Sequence, residues 1–323
     1  MNARILCLLT SLLICCNVYA QTYSREIGIE TDDDSYLAQG SDRYYTAGTF
    51  IYYRQGLKTA DNSNLQNKVL GFELGQKLYT PQSGSINYNG VDNPLYIDRP
   101  FAAYLYAGST LNLLYKDESN LKLSAQVGVV GPDALGRQTQ QTIHQLFGLY
   151  HPDGWEYQVD NDLELNLSAE YNRLLARASW IDVSLSGYAN LGNGFTGAGI
   201  GPLFRLGDFN QLFNSVSTES TAINSRNFTP LHSRELFFYY KPQLNAVIYD
   251  ATVQGSIFST RDPNSREVTL SPEPFVFSNQ LGLGYSGKRI VLDAAVIIHT
   301  RDVKEMIHST HQWGAITMLY RFH

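Results

Sequence analysis

The chain has 323 residues, of which 17% are charged and 12% aromatic, and its formal net charge is −6. This composition excludes both a disordered tail and a bundle of membrane-spanning helices. Its 22 tyrosines, 15 phenylalanines and 26 glycines are typical of strands joined by tight turns. The acidic balance, without any basic cluster, argues against nucleic acid as a partner.

The first segment, residues 1–20, has the layout of a secretory signal peptide. It begins with a basic residue, Arg4, continues with an apolar stretch too short to span a bilayer, and ends with Ala20. All three cysteines lie inside it, so the mature chain, residues 21–323, would contain none. A lipoprotein signal is the competing interpretation because Cys15 and Cys16 follow an apolar run, but the usual small residues do not precede them.

The mature chain alternates apolar and polar residues with a period of two. Residues 121–129, 162–171 and 181–191 show the alternation most clearly, and this period predicts β-strands with one apolar face. In chain order, the predicted strands are 23–31, 43–55, 67–79, 99–115, 120–130, 161–173, 175–192, 196–206, 234–250, 252–261, 275–286 plus 289–300, and 311–322. They make about twelve strands, the number of a mid-sized barrel.

Two environments could cover the apolar faces: a second sheet, as in a sandwich, or lipid, as in an outer-membrane barrel. Strand length favours the barrel, because sandwich strands have about five or six residues and membrane strands about ten. Glutamates in strand centres, such as Glu73 and Glu164, would be desolvated in a sandwich core but hydrated inside a barrel. Tyrosine pairs near strand ends, such as Tyr52 and Tyr53, are typical of the aromatic girdles at membrane interfaces.

The connections predict which loops lie outside. Short turns at 117–120 and 172–174, with both chain ends in the periplasm, place 32–42, 80–98 and 131–160 on the extracellular side. The side of the long 207–233 loop stays open.

One helix is predicted in the mature chain, from Gly131-Pro132-Asp133 to about Leu149. Gln140, Gln141 and His144 would share a face that projects His144 toward the barrel wall. The predicted buried face comprises Leu135, Ile143, Leu146 and Phe147. The expected fold is therefore all-β, a transmembrane antiparallel up-and-down β-barrel of about 12 strands with one short extracellular loop helix.

Several rim segments could carry chemistry. The acidic run 30–34 offers the hard carboxylate oxygens that calcium prefers, although such a run is more often a solvated turn. His144 could serve as a base, although a histidine on a loop helix is more often a packing residue. His308 and His311 could hold zinc, but two histidines without further ligands favour a polar turn.

Taken together, the rim motifs resemble the lipid A 3-O-deacylase family of Gram-negative outer membranes. The motifs are Glu30-x-Asp32, Asp42-Arg43-x-Tyr45-Thr46-x-Gly48, Gly131-Pro132-x-Ala134-x-Gly136, Gln141-x-x-His144 and Gly154-Trp155-x-x-Gln158-x-x-Asn161. The resemblance covers the whole mature chain. It implies a twelve-stranded, monomeric barrel whose rim carries a calcium-dependent esterase, which removes the 3′-linked acyloxyacyl group of lipid A in lipopolysaccharide.

The resemblance also implies roles for individual residues. His144 corresponds to the general base, Asp32 to the acidic residue of the calcium site and Thr46 to the rim threonine, and Thr31 and Gln141 complete the predicted catalytic set. The predicted metal ligands are Asp32, Asp33 and Glu30.

Two positions depart from the family pattern. Thr31 stands where the family has asparagine, and Tyr150 stands where it often has glutamate. Either Asp33 or Asp34 substitutes as a metal ligand, or the chain is a catalytically impaired member. A small passive pore and a rim receptor or adhesin are the alternative functions from other classes.

Overall fold

In a computed structural model, the structure describes residues 23–37, 42–60, 62–82, 86–88, 91–224, 227–259 and 263–323. Twelve strands close into one antiparallel barrel, which confirms the predicted fold class. They are β1 (Arg25–Asp33), β2 (Tyr44–Gly56), β3 (Leu65–Thr80), β4 (Ala102–Tyr115), β5 (Ser119–Val130), β6 (Asp162–Arg177), β7 (Ile181–Gly192), β8 (Phe195–Asp208), β9 (Glu235–Asp250), β10 (Phe275–Ser286), β11 (Ile290–Thr300) and β12 (Thr310–Phe322). The predicted signal peptide, residues 1–20, lies outside the described residues.

Two α-helices occur in the described part of the chain, α1 (Gly136–Phe147) and α2 (Ala251–Gln254). Within those ranges, no helix combines the length and the apolar character needed to cross a membrane. A two-residue hairpin pairs Asn87–Tyr88 with Val91–Asp92. Short 3-10 turns cover Asp34–Leu37, Pro94–Tyr96, Pro132–Ala134, Trp155–Tyr157, Leu212–Asn214 and Val216–Thr218.

The outer face of the barrel is apolar and the inner face polar, as the alternation predicts. In β6, Leu163, Leu165 and Leu167 are 59 to 65% exposed, whereas Glu164 and Asn166 between them are buried. A protein surrounded by water would bury such leucines, because each exposed apolar side chain costs roughly 1.5–3 kcal/mol relative to burial. The outward leucines therefore fit hydrocarbon rather than a second protein layer.

Each strand pairs with its neighbours in sequence, and β1 closes the ring against β12, with Ile27 opposite Tyr320. Both chain ends thus lie at one end of the barrel, here called the terminal end. The opposite end, here called the rim, carries the connections β1–β2, β3–β4, β5–β6, β7–β8, β9–β10 and β11–β12. The described residues of the predicted outer segments 32–42, 80–98 and 131–160 lie at the rim or run into it.

Three details of the strand prediction are wrong. The described residues of the predicted strand 252–261, which are 252–259, do not form a strand, because Asp250 caps the short helix α2 by accepting a hydrogen bond from the Thr252 backbone N–H. The segments 275–286 and 289–300 are two separate strands, β10 and β11. The predicted turn at 172–174 lies inside β6, and the chain reverses at 178–180 instead.

The long β8–β9 connection lies at the terminal end, and its described residues, 209–224 and 227–234, fold across that end and are here called the plug. Its Thr221 hydroxyl donates to Glu26 of β1 at 2.6 Å, and its Glu219 carboxylate pairs with Lys122 of β5 at 2.9 Å. Arg205 of β8 donates to the Ser215 hydroxyl at 2.8 Å. The plug is therefore anchored to strands around much of the ring.

Candidate functional site

Helix α1 lies against the outer face of β3 and β4 at the rim. Lys77 and Tyr79 of β3 line the barrel interior, so the alternating Gln76 faces outward. The Gln76 amide donates to the Ala134 carbonyl at 2.7 Å and accepts from the Thr139 hydroxyl at 3.0 Å. These two bonds fasten the start of α1 to the wall.

A close approach between α1 and the wall fixes the helix further. A Cβ atom at Gly136 would lie 2.4 Å from the Ala103 Cβ and 2.7 Å from the Trp155 ring, so this position requires glycine. Trp155 is 1% exposed, and its ring packs against Phe101 at 5.4 Å between centroids with the planes tilted by 50°. Truncating so large a buried side chain costs about 3–5 kcal/mol, so Trp155 helps to keep the helix at its place.

The buried face of α1 is polar, contrary to the prediction. Gly136, Gln140 and His144 are its buried residues, spaced four apart. The predicted face is instead exposed, by 47% at Leu135, 38% at Ile143, 75% at Leu146 and 70% at Phe147. The prediction assumed burial against protein, but a helix on the outside of a membrane barrel turns its apolar side toward lipid.

His144 is buried between the helix and the wall, and both of its ring nitrogens have partners. Nδ1 lies 2.7 Å from the Tyr150 carbonyl oxygen. Nε2 lies 2.8 Å from a carboxylate oxygen of Asp42. Since a carbonyl can only accept, Nδ1 carries a hydrogen. The Asp42–His144 pair must then hold one further proton between Nε2 and the carboxylate.

Asp42 was not among the predicted site residues, although the sequence marked it in the motif before Tyr45. Its carboxylate accepts from His144, from the Gln140 side-chain amide and from the Tyr150 hydroxyl. Gln140 in turn accepts from the Trp155 indole N–H at 2.6 Å. The Asp42 carboxylate is thus held by Gln140 of α1, and Gln140 is held in turn by Trp155.

Two further carboxylates lie beside Asp42. Asp33 accepts from the Ser35 backbone N–H at 2.8 Å, and Asp34 accepts from the Arg43 backbone N–H at 2.7 Å. Burial, reinforced by the negative charges of Asp42 and Asp33, raises the pKa of Asp34 to about 8 against the bond from Arg43. This outer acidic group, defined as Asp33, Asp34 and Asp42, concentrates hard oxygen donors next to His144.

Asp32 and Glu30 lie on the other side of the wall. The Tyr45 hydroxyl donates to Asp32 at 2.8 Å, and the Thr317 hydroxyl donates to Glu30 at 2.8 Å. Both carboxylates line the interior cavity. The strand alternation that sends Asp33 outward sends these two inward. The structure therefore does not gather the predicted metal ligands Asp32, Asp33 and Glu30 at one place.

The remaining predicted residues lie near the rim without contacting His144 directly. The Thr31 hydroxyl bonds the Tyr36 hydroxyl at 3.0 Å. Thr46 is buried at a register shift in β2, and its hydroxyl bonds Thr80 at 2.7 Å. Gln141 is half-buried on the adjacent face of α1. Its neighbour Gln140 makes the hydrogen bond to Asp42.

Comparison with protein families places the chain with one of them. The model of the family "Outer membrane protein LpxR" matches residues 6–322. A comparison with curated proteins finds no match.

Comparison with solved structures agrees with the barrel. LpxR from Salmonella typhimurium is 19% identical, with a TM-score of 0.71 over 92% of this chain and 100% of that one. The translocator domain of the autotransporter NalP from Neisseria meningitidis is 10% identical, with a TM-score of 0.41 over 99% of this chain and 96% of that one. At these identities the likeness to the Salmonella protein shows the shared fold.

Proposed function

Because its match over residues 6–322 shows that this chain belongs to the LpxR family of outer membrane proteins, we propose that it hydrolyses lipid A. The reaction is the removal of the 3′-linked acyloxyacyl group by attack of water on the ester carbonyl. One observation carries the proposal: the buried Asp42–His144 pair lies on the outer wall under a helix whose exposed side is apolar.

His144 acts in this proposal as the general base. The Tyr150 carbonyl fixes the hydrogen on Nδ1, which leaves Nε2 to exchange protons with a reacting group. The 2.8 Å contact with Asp42 corresponds to the proton-holding state of the pair. When the pair has lost that proton, a water between Nε2 and Asp42 could give its proton to the pair as it attacks the ester.

The same proton completes the reaction. The leaving group is the alkoxide of the sugar hydroxyl, and the pair returns the proton to this oxygen as the carbon–oxygen bond breaks. The Tyr150 carbonyl holds the ring through Nδ1, which is the place of the carboxylate in a catalytic triad, whereas Asp42 lies on the reacting nitrogen Nε2, shares its proton and stabilises the charged form of the ring. Atoms balance as one ester and one water give one fatty acid and one alcohol.

Calcium is the proposed cofactor, and the outer acidic group supplies the type of donor that calcium takes, although among the described residues its three carboxylates do not all lie within 4.8 Å of one another. Calcium prefers carboxylate and carbonyl oxygens, and Asp33 and Asp34 supply carboxylates beside the pair. When bound, the ion would polarise the ester carbonyl and stabilise the developing oxyanion. Burial is the main cause of the raised pKa of Asp34, the negative charges of Asp42 and Asp33 add to it, and a bound cation would favour the ionised carboxylate.

The exposed apolar residues near the site suit an acylated substrate. Ile143, Leu146, Phe147 and Leu149 all lie in α1 or directly after it, and all are at least 38% exposed. Acyl chains of a lipid in the outer leaflet can contact this surface while the polar headgroup lies at the rim. Lipopolysaccharide is therefore the proposed partner.

Lipid A mass spectrometry tests the proposal. Gram-negative cells that produce the wild-type chain are expected to lose the mass of one acyloxyacyl group from lipid A, and His144→Ala should abolish the loss. His151→Ala is the matched control, because His151 is an exposed histidine of the same loop, paired only with Asp153. Heat-modifiable gel migration shows that each variant is folded.

Two results would overturn the assignment. Unchanged lipid A in cells with the folded wild-type chain would show that the chain is an inactive family member. Fatty acid release by His144→Ala would show that His144 is not the general base. A calcium chelator is expected to abolish activity as His144→Ala does, so full activity in chelator would exclude calcium as the cofactor.

A further inference from the structure

We propose that the β11–β12 hairpin at the rim binds a divalent transition-metal ion through His299, Asp302 and His311. The three residues face the barrel interior, whereas His144 lies outside the wall. The proposal is thus independent of the deacylase reaction. Its metal class also differs from the calcium of that reaction.

The hairpin itself brings the two histidines together. His299 near the end of β11 lies directly opposite His311 near the start of β12 in the antiparallel register. Residues directly opposite each other project from the same face of a sheet. Both imidazoles therefore point inward, and their ring planes are nearly perpendicular, with 5.4 Å between centroids.

One carboxylate oxygen lies between the two rings. Asp302 Oδ1 is 3.3 Å from His311 Nε2 and 3.9 Å from His299 Nδ1. One potential ligand atom from each residue lies within 4.8 Å of the others, and within the described ranges no other three histidine, cysteine, aspartate or glutamate residues meet this condition. A modest closure would give the spacing of ligands around one ion of the zinc type.

Hydrogen bonding alone does not account for this arrangement. His311 Nε2 is within hydrogen-bond distance of Asp302 Oδ1 at 3.3 Å, whereas His299 Nδ1 is 3.9 Å from the same oxygen, beyond that distance. Among the described residues, the buried Nδ1 of His311 has no partner. Arg99 occupies the other carboxylate oxygen, Oδ2, at 3.5 Å. That contact orients Asp302 and leaves Oδ1 for a cation, as outer-shell partners of metal ligands do.

The surrounding cavity favours a cation and leaves room for water ligands. Its volume is about 470 Å³. The side chains of Asp302 and His299 are 19% and 28% exposed, so an ion can reach them. Of the charged residues in the lining, Lys77 and Arg99 are basic, whereas five are acidic: Glu30, Asp32, Glu73, Asp250 and Asp302.

The ligand types indicate the metal. Two imidazole nitrogens and one carboxylate with open positions suit Zn²⁺, Co²⁺ or Ni²⁺. Calcium takes oxygen ligands almost exclusively. A bound ion would join β11 to β12, the strand that closes the barrel against β1.

Cobalt binding tests the site directly. Full-length mature protein without a histidine tag is folded in detergent, stripped with chelator and titrated with Co²⁺ while its visible absorption is followed. We expect one equivalent to bind, Zn²⁺ to displace it and millimolar Ca²⁺ to leave it in place. His299→Ala and His311→Ala should each weaken binding at least ~10-fold.

Two controls make the test decisive. His151→Ala removes an exposed histidine that pairs with a single carboxylate, and it should leave cobalt affinity unchanged. His144→Ala should also leave it unchanged, because that residue lies on the other side of the wall. Lack of stoichiometric binding, or binding that persists in folded His299→Ala/His311→Ala, would overturn the proposal. Loss of cobalt binding in His144→Ala, but not in His299→Ala or His311→Ala, would indicate that the ion binds at the outer site. That result would also overturn the proposal.

Discussion

The imidazole of His144 has both nitrogens engaged, and this decides how it can act. Nδ1 is committed to a backbone carbonyl, which no protonation change can convert into a donor. Any proton that the ring gains or loses must therefore pass through Nε2, where Asp42 lies. At the scale of single residues, the reactive unit is the Asp42–His144 pair rather than histidine alone.

Replacing the carboxylate tests that conclusion. We expect Asp42→Asn to lower lipid A turnover by roughly 10²- to 10⁴-fold, the usual contribution of general acid–base catalysis, because an amide cannot share the proton or stabilise an imidazolium. Turnover against pH is the measurement, since a purely structural role would change the rate without changing the profile. Asp153→Asn, in the exposed pair with His151, is the control. Equal turnover in the two variants would contradict the role of the Asp42–His144 pair.

The two sides of β1 give a second residue-scale prediction. Asp34→Asn is expected to raise the calcium concentration for half-maximal activity at least ~10-fold, because Asp34 lies with Asp33 and Asp42 on the outer face. Asp32→Asn should change it little, because Asp32 faces the interior and bonds Tyr45. Calcium titrations of turnover compare the two variants. A larger effect of Asp32→Asn would return the metal to the residue that the sequence resemblance selects.

His144 could be predicted from the sequence because the helical period and the motif that mark it are both local features. Asp42 was missed as the partner, because the two sides of the site meet only after the barrel closes. Asp42 bonds Gln140, which is 98 positions away along the chain. The structure places Gln140, one residue before the predicted Gln141, against Asp42, and this contact depends on where the wall lies relative to the helix.

Among the elements, the strands were the most predictable and the rim segments the least. A period of two is imposed on every strand by lipid outside and water inside, so it is visible throughout the sequence. The predicted strand at 252–261 fails at its start, because Asp250 caps the short helix α2 (Ala251–Gln254). In α1, the apolar stripe was recognised correctly but assigned to the protein side instead of the lipid side.

The lipid-facing side of α1 can be tested as an element. We expect Leu146→Ser/Phe147→Ser to leave folding intact, because both side chains are at least 70% exposed. KM for lipid A should rise several-fold with kcat little changed, since the His144 face is untouched. Steady-state turnover in mixed micelles is the measurement. Gln145→Ser, another exposed residue of α1, is the control, and a drop in kcat alone would assign these side chains to the chemistry.

At the scale of the whole molecule, the barrel wall separates a polar interior from an apolar outer face. The plug is anchored to β1 and β5 at the terminal end, an arrangement that favours a closed barrel over an open pore. Burial alone would raise the pKa of the Glu219 carboxyl in this plug. The ammonium of Lys122 and the guanidinium of Arg54 outweigh burial and hold the pKa below its ordinary value of 4.5. The folded protein therefore stabilises the ionised form.

A pH dependence of conductance follows from that charge. The stabilisation from Glu219 is fully present above pH 4.5 and is lost as the pH falls through the lowered pKa. In planar bilayers, we expect the wild-type barrel not to conduct at pH 7 and to open intermittently in acid. Glu219→Gln should open at a higher pH because its amide lacks the charge that holds Lys122 and Arg54. Glu305→Gln, the same substitution at an exposed residue of the β11–β12 connection at the rim, is the control. Steady conductance of the wild type at pH 7 would show that the plug does not seal the barrel and would favour the pore.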